Sequence, residues 1–192
     1  MKKGIIVLVV IGLILLWFVS KYNGLVGAQE SIDSVWAKVE TQYQRRADLI
    51  PNLVSTVKGY ADFEQETLTK VVEARAKATQ TTIDPSNMTS AQLQNFQGAQ
   101  GELSGALSRL LVTIEKYPDL KANQNFLELQ AELAGTENRI GVARDNFNSE
   151  AKNYNTTIKK FPTNLIAGLF NFEAKPYFEA DAGSKNAPKV EF

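Results

Sequence analysis

The sequence predicts an all-α protein: an N-terminal transmembrane helix followed by a long-helix antiparallel three- or four-helix bundle. Three observations predict it. An uncharged, mostly apolar run occupies residues 4–20. Three long downstream segments place apolar residues at alternating steps of three and four. No segment alternates with period two for long enough to make a strand.

The run begins after Lys2 and Lys3 and is apolar from Ile5 to Val19 except for Gly12. Its 17 residues, 4–20, rise about 25 Å as a helix, slightly short of a ~30 Å hydrocarbon core. After Lys21, whose stem can snorkel, six uncharged residues follow, so a full span is reachable. Trp17 and Tyr22 suit an interface. Ile5, Leu8, Ile11, Leu15 and Val19 mark the expected lipid-facing helix. A cleaved signal peptide fits less well, because its best cleavage site, Val26-Gly27-Ala28, lies far beyond the apolar core. Lys2 and Lys3 put the N-terminus inside and the body outside the cytoplasm.

Composition limits function. Apolar residues make up 44% and charged residues 22% of the chain, as in ordinary globular proteins. The 21 basic and 21 acidic residues balance, so no basic footprint for nucleic acid exists. There is no histidine and no cysteine. Nucleophilic Cys, Ser–His pairs, His-based proton transfer and zinc sites all need one or the other. The expectation is a protein that is not an enzyme and carries no cofactor or metal. Asp48 and the pair Glu64/Glu66 read as solvated helix faces.

The first body segment runs Ile32, Trp36, Val39, Tyr43, Arg46, Ile50, Leu53, Val57, Tyr60. Pro51 is expected to kink this helix without reversing the chain, because the register continues through it. The turn-forming stretch Thr81–Asn87 ends the pattern. Thr89 and Gln92 make a capping box for the second segment, Leu93 to Tyr117. Pro118 stops it, and Asn123 caps the third, from Phe126 to Ile158. Phe161-Pro162 ends that helix, and Thr163 or Asn164 starts a short fourth element. The expected divisions are an anchor at 1–28, a bundle at 29–178 and a mobile tail at 179–192.

With the first helix taken as 29–80, its length is about 78 Å, against about 42 Å and 58 Å for the others. The returning helices then reach back only to residue 52. The stripe Ile32, Trp36, Val39, Tyr43 and Arg46 is left uncovered, and reads as an oligomer seam, unless Pro51 bends the stalk back onto its own bundle. Gln130, Glu137 and Arg144 repeat every seven residues in the third helix and read as polar seam positions that fix register. On these lengths Arg46 cannot reach Glu137 within one chain; either the pair forms between chains or the topology differs. The uncharged segment with Leu165, Ile166, Leu169, Phe170 and Phe172 reads as a fourth bundle element or as a membrane or oligomer contact.

Several stretches resemble one family: Tyr22-Asn23-Gly24-Leu25-Val26, Gln44-Arg45-Arg46-Ala47-Asp48-Leu49-Ile50-Pro51-Asn52-Leu53-Val54, Tyr117-Pro118-Asp119-Leu120-Lys121-Ala122-Asn123, Thr136-Glu137-Asn138-Arg139-Ile140 and Tyr154-Asn155-Thr156. In this order they resemble the LemA family of bacterial membrane proteins, over residues 22–178. The resemblance implies one span, a long-helix bundle and the bacterial inner membrane, and brings no active site. Two roles are expected: a self-assembling scaffold that organises or shapes the bilayer, on the strength of the uncovered stripe and the uncharged 165–172 segment, or a tethered adaptor of another membrane protein, such as a membrane protease, using the same stripe. The expected partners are therefore the lipid bilayer, further copies of the chain and another membrane protein.

Overall fold

The computed structural model describes residues 2–59 and 64–179. Tyr60 and the tail expected to be mobile from Ala180 onward lie outside them. Six α-helices follow one another: α1 (Lys2–Lys58), α2 (Gln65–Gln80), α3 (Ser90–Ile114), α4 (Pro118–Lys121), α5 (Gln124–Lys159) and α6 (Thr163–Leu169). Among the described residues there is no strand.

Helix α1 has 57 residues, about 85 Å, and passes through Pro51 unbroken. Its first third is exposed on all sides and is the one helix, among the described residues, long and apolar enough to cross a membrane. Ile5, Leu8, Ile11, Leu15 and Val19 are all solvent-facing in the isolated chain, as the predicted span requires.

Local signals fix the other helix starts. Thr89 Oγ1 accepts from the Gln92 amide at 3.2 Å, and Gln92 Oε1 accepts from the Thr89 amide at 2.8 Å, closing the capping box. Asn123 Oδ1 accepts from the Phe126 amide at 3.1 Å.

One expectation fails. The first body helix does not run from 29 to 80. It stops at Lys58, and α2 returns antiparallel to it, with the Arg75 side chain donating to the Ala47 carbonyl. Helix α3 then rises beside α2, and α5 descends along α1. The product is an up-down-up-down bundle. The reversal shortens the upward leg by more than twenty residues. Consequently α5 reaches far lower than expected. Counting from the contact between Arg46 and Glu137, twenty-two residues down α1 is Gly24, and twenty-two residues on along α5 is Lys159.

Two clusters make up the core. The membrane-distal one is mainly aliphatic: Ile50, Leu53 and Val57 of α1 meet Leu68 and Val71 of α2, Leu103, Leu107 and Leu110 of α3, and Leu133 of α5. The membrane-proximal one is rich in aromatic rings and holds Trp36, Tyr43, Phe96, Phe147, Tyr154 and Phe178.

Candidate functional site

The predicted oligomer seam is the first point to correct. Ile32, Trp36, Val39, Tyr43 and Arg46 are all buried inside one chain. The reversal near residue 59 lets α5, the start of α3, the 81–89 connection and the C-terminal segment cover them. Trp36 is the hub. Its ring lies 5.4 Å from Phe96, 5.5 Å from Phe147 and 6.0 Å from Phe178, and the last pair is stacked.

Arg46 divides the two clusters and is only 2% exposed. Its Nη1 donates to Ser104 Oγ and to Glu137 Oε2, each at 2.8 Å. Its Nη2 donates to Gln100 Oε1 at 2.7 Å and to the Gln100 carbonyl at 3.2 Å. The guanidinium also lies 5.2 Å from the centre of the Tyr43 ring. The pair with Glu137 thus forms within one chain, because the topology is not the one the lengths suggested. One charge neutralised at the edge and four bonds on the terminal nitrogens make its burial tolerable.

The polar seam is also displaced. Gln130 and Glu137 are exposed and Arg144 is half-buried. The buried stripe of α5 runs through Leu133, Thr136, Ile140, Ala143, Phe147 and Ala151. Thr136 and Ala143 take the inward places assigned to Glu137 and Arg144, one residue to the side. A stretch read with a strict seven-residue repeat drifts about 20° per repeat against a straight helix, enough to move flanking positions off the seam. Arg144 instead donates to the Glu179 carbonyl at 2.7 Å and lies over the Phe178 ring at 5.1 Å.

Sequence reasoning missed the clamps that hold residues 172–179. Asn155 Nδ2 donates to the Lys175 carbonyl, and the Lys175 amide donates to Asn155 Oδ1, both at 2.8 Å. One heptad earlier, Asn148 does the same for Phe178, at 3.0 and 2.8 Å. Two asparagines seven residues apart inside a long helix were the available signal, since Asn favours caps and turns unless its side chain has a partner.

Lys175 is buried yet donates to the carbonyls of Pro85 and Ser86 at 2.9 and 2.6 Å, tying the C-terminal segment to the 81–89 connection. Burial pushes its ammonium below the usual lysine range. Burial likewise raises the Asp33 carboxyl, with the nearby charge of Lys175 opposing the shift. The Tyr154 hydroxyl, buried and without a hydrogen bond among the described residues, is pushed up to about 12. A cleft of about 440 Å³ opens beside these groups, between Tyr22, Glu30, Asn87, Phe172 and Glu173.

Below the cleft lies α6. The predicted contact segment divides in two. Ile166 is 2% exposed and packs inward, and Phe172 is half-buried against the aromatic cluster. Leu165 and Leu169 are 64% and 68% exposed, and Phe170 is partly so. Phe170 nonetheless touches α1, with its ring 4.8 Å from Tyr22 and 6.0 Å from Phe18. The exposed side of α6 therefore stands at the level where the apolar span ends.

A span continuous with a closed antiparallel helical bundle, its irregular flank clamped at the membrane end, defines a membrane-anchored helical bundle protein. The chain belongs to the LemA family, which matches residues 35–192. It is 27% identical over 172 residues to Protein LemA of Metamycoplasma hominis, covering 88% of this chain and 74% of that one. It is 26% identical over 176 residues to Magnetosome protein MamQ 2 of Paramagnetospirillum magneticum, covering 83% of this chain. It is also 26% identical over 181 residues to Magnetosome protein MamQ of Magnetospirillum gryphiswaldense, covering 85%. The chain spans about two thirds of the length of these two MamQ proteins, 65% and 66%.

Proposed function

We propose that this protein is a non-enzymatic scaffold of the bacterial inner membrane, with its bundle on the extracytoplasmic side, which organises or shapes the bilayer. The observation that carries this reading is the unbroken path of α1 from the span into the bundle core. A helix with no flexible joint transmits orientation, so the body turns with the span as one rigid unit. Lys2 and Lys3 ahead of the span support the orientation. The missing His and Cys side chains support a role without catalysis. A protein of the family named for the magnetosome supports a role at a membrane.

In this reading, copies associate through the lipid-facing span, because the stalk seam is consumed inside each chain. The natural absence of cysteine makes the test clean. Single cysteines at Ile11 and Leu15, cross-linked in native membranes, are expected to give dimers and higher species. Only monomers at these positions, together with a monomeric size in mild detergent, would remove self-assembly from the proposal.

The alternative is a tethered adaptor of another membrane protein. A groove between α1 and α5, lined by Val35, Gln42, Arg139 and Val142, supports it, since Val142 is an exposed apolar side chain beside polar neighbours. A photo-cross-linker at Val142 that captures one defined membrane protein, with no cross-links between spans, would favour the adaptor over the scaffold.

A further inference from the structure

We propose that α6 and the turn before it form a second membrane contact, a foot that seats in the interface of the leaflet from which α1 emerges. The inference rests on α1 being the span. It adds a lipid-binding surface built from residues 159–170, more than a hundred residues away in the chain.

Four observations converge. First, height: the end of α5 lies level with Gly24, and Phe170 packs on Phe18 and Tyr22, at the upper edge of the apolar run. Second, the helix presents opposite faces to different surroundings. Ile166 and Ala167 enter the core, whereas Leu165 and Leu169 face outward beside Phe161, which is 80% exposed. One isolated exposed Leu is ordinary, but three large apolar side chains and the edge of Phe170 on ten residues make a patch. Third, charge: residues 159–172 contain no carboxylate. Lys159 and Lys160 are exposed and form no ion pair among the described residues, and Lys21 lies on α1 near the same height. Apolar side chains below a row of lysines match the boundary between acyl chains and anionic headgroups. Fourth, continuity: α6 packs against α1 and Phe170 lies against Phe18 of the apolar run, so a bilayer that surrounds Val19 meets the patch without any rearrangement.

The foot has a mechanical consequence. A single span leaves a body free to swing about the membrane normal. A second contact on α5's end, beside the first, removes tilt in one direction and gives the bundle a defined lean.

The test uses the full-length protein in vesicles of phosphatidylethanolamine and phosphatidylglycerol. Single cysteines at Leu165 and Leu169 carry an environment-sensitive fluorophore, and the vesicles carry brominated acyl chains. Leu8→Cys, inside the span, and Val112→Cys, exposed on α3 at the far end of the bundle, set the two limits. The foot predicts quenching at 165 and 169 of about half that at Leu8 or more, and several-fold above Val112, unchanged on dilution in lipid. Quenching at the level of Val112 overturns it while leaving the span intact. Fluorophore protection that vanishes on dilution, without quenching by brominated chains, also overturns it and makes the patch a contact between copies. Absence of quenching at Leu8 would overturn the span and the foot together.

Discussion

The two ends of the bundle are built by different rules. The membrane-distal half has four helices around aliphatic side chains, Leu103, Leu107 and Leu110 among them. The membrane-proximal half has α1 and α5 along its length and only the first turns of α3, and is closed by the 81–89 connection, α6 and residues 172–179. Irregular segments approach a helix pair unevenly. Large rings such as Trp36, Phe147 and Phe178 fill the space that a regular helix would fill with leucines. Irregular backbone also lacks its own ladder of hydrogen bonds, so Asn148, Asn155 and Lys175 supply partners from side chains. Regular packing holds the far half; specific polar clamps and stacked rings hold the half next to the apolar run.

A series of substitutions would break or sharpen that contrast. The largest effect is expected for Trp36→Ala, which empties the proximal hub. It should cost about 3–5 kcal/mol in urea unfolding followed by circular dichroism, more than Leu107→Ala at the edge of the distal cluster. Next is Arg46→Ala at the divide, which leaves a cavity and strips Gln100 of a partner, at about 3 kcal/mol. Arg46→Met should recover only the cavity part of that loss, since it refills the space but still leaves the buried Gln100 oxygens without their donor. Glu137→Gln should cost under about 1 kcal/mol, because that carboxylate is largely in water.

Asn155→Ala and Asn148→Ala are expected to cost about 1–3 kcal/mol each by orphaning backbone groups of residues 175 and 178. Limited proteolysis should then release the C-terminal segment while the distal half remains protected. Equal protection in variant and parent would show that the rings alone hold the segment.

The smallest effects concern pH, and the buried groups expected to show them, Tyr154 and Asp33, lie in the proximal half. Tyr154 has a folded-state value raised from 10.0 to about 12. Its contribution is complete below the unfolded value and is lost as pH rises through the folded one, so stability should fall between about pH 10 and 12. Tyr154→Phe should flatten that slope. Asp33 is raised from its usual 3.8 mainly by burial, so its ionised form weighs against the fold at neutral pH. Asp33→Asn should raise the melting temperature slightly at pH 7 and change little below that value.

The sequence by itself determined the span, the helical class, the capped starts of α3 and α5 and the family. Each of these is encoded locally, in an uninterrupted apolar run, a three-four rhythm, or a side chain within reach of its own backbone. Only the tertiary structure decided where the first body helix turns back. The apolar register continues from Val57 toward Leu68 and Val71 across the break, and a periodic stripe looks the same whether its helix continues or folds onto itself. That one reversal moved Ile32, Trp36, Val39, Tyr43 and Arg46 from an expected interface between chains to the interior of one. It brought Arg46 to Glu137 and lowered the end of α5 to the upper edge of the apolar run. The exposed side of Leu165 and Leu169 emerged the same way: composition marked the segment, but which face points outward depends on what Ile166 packs against.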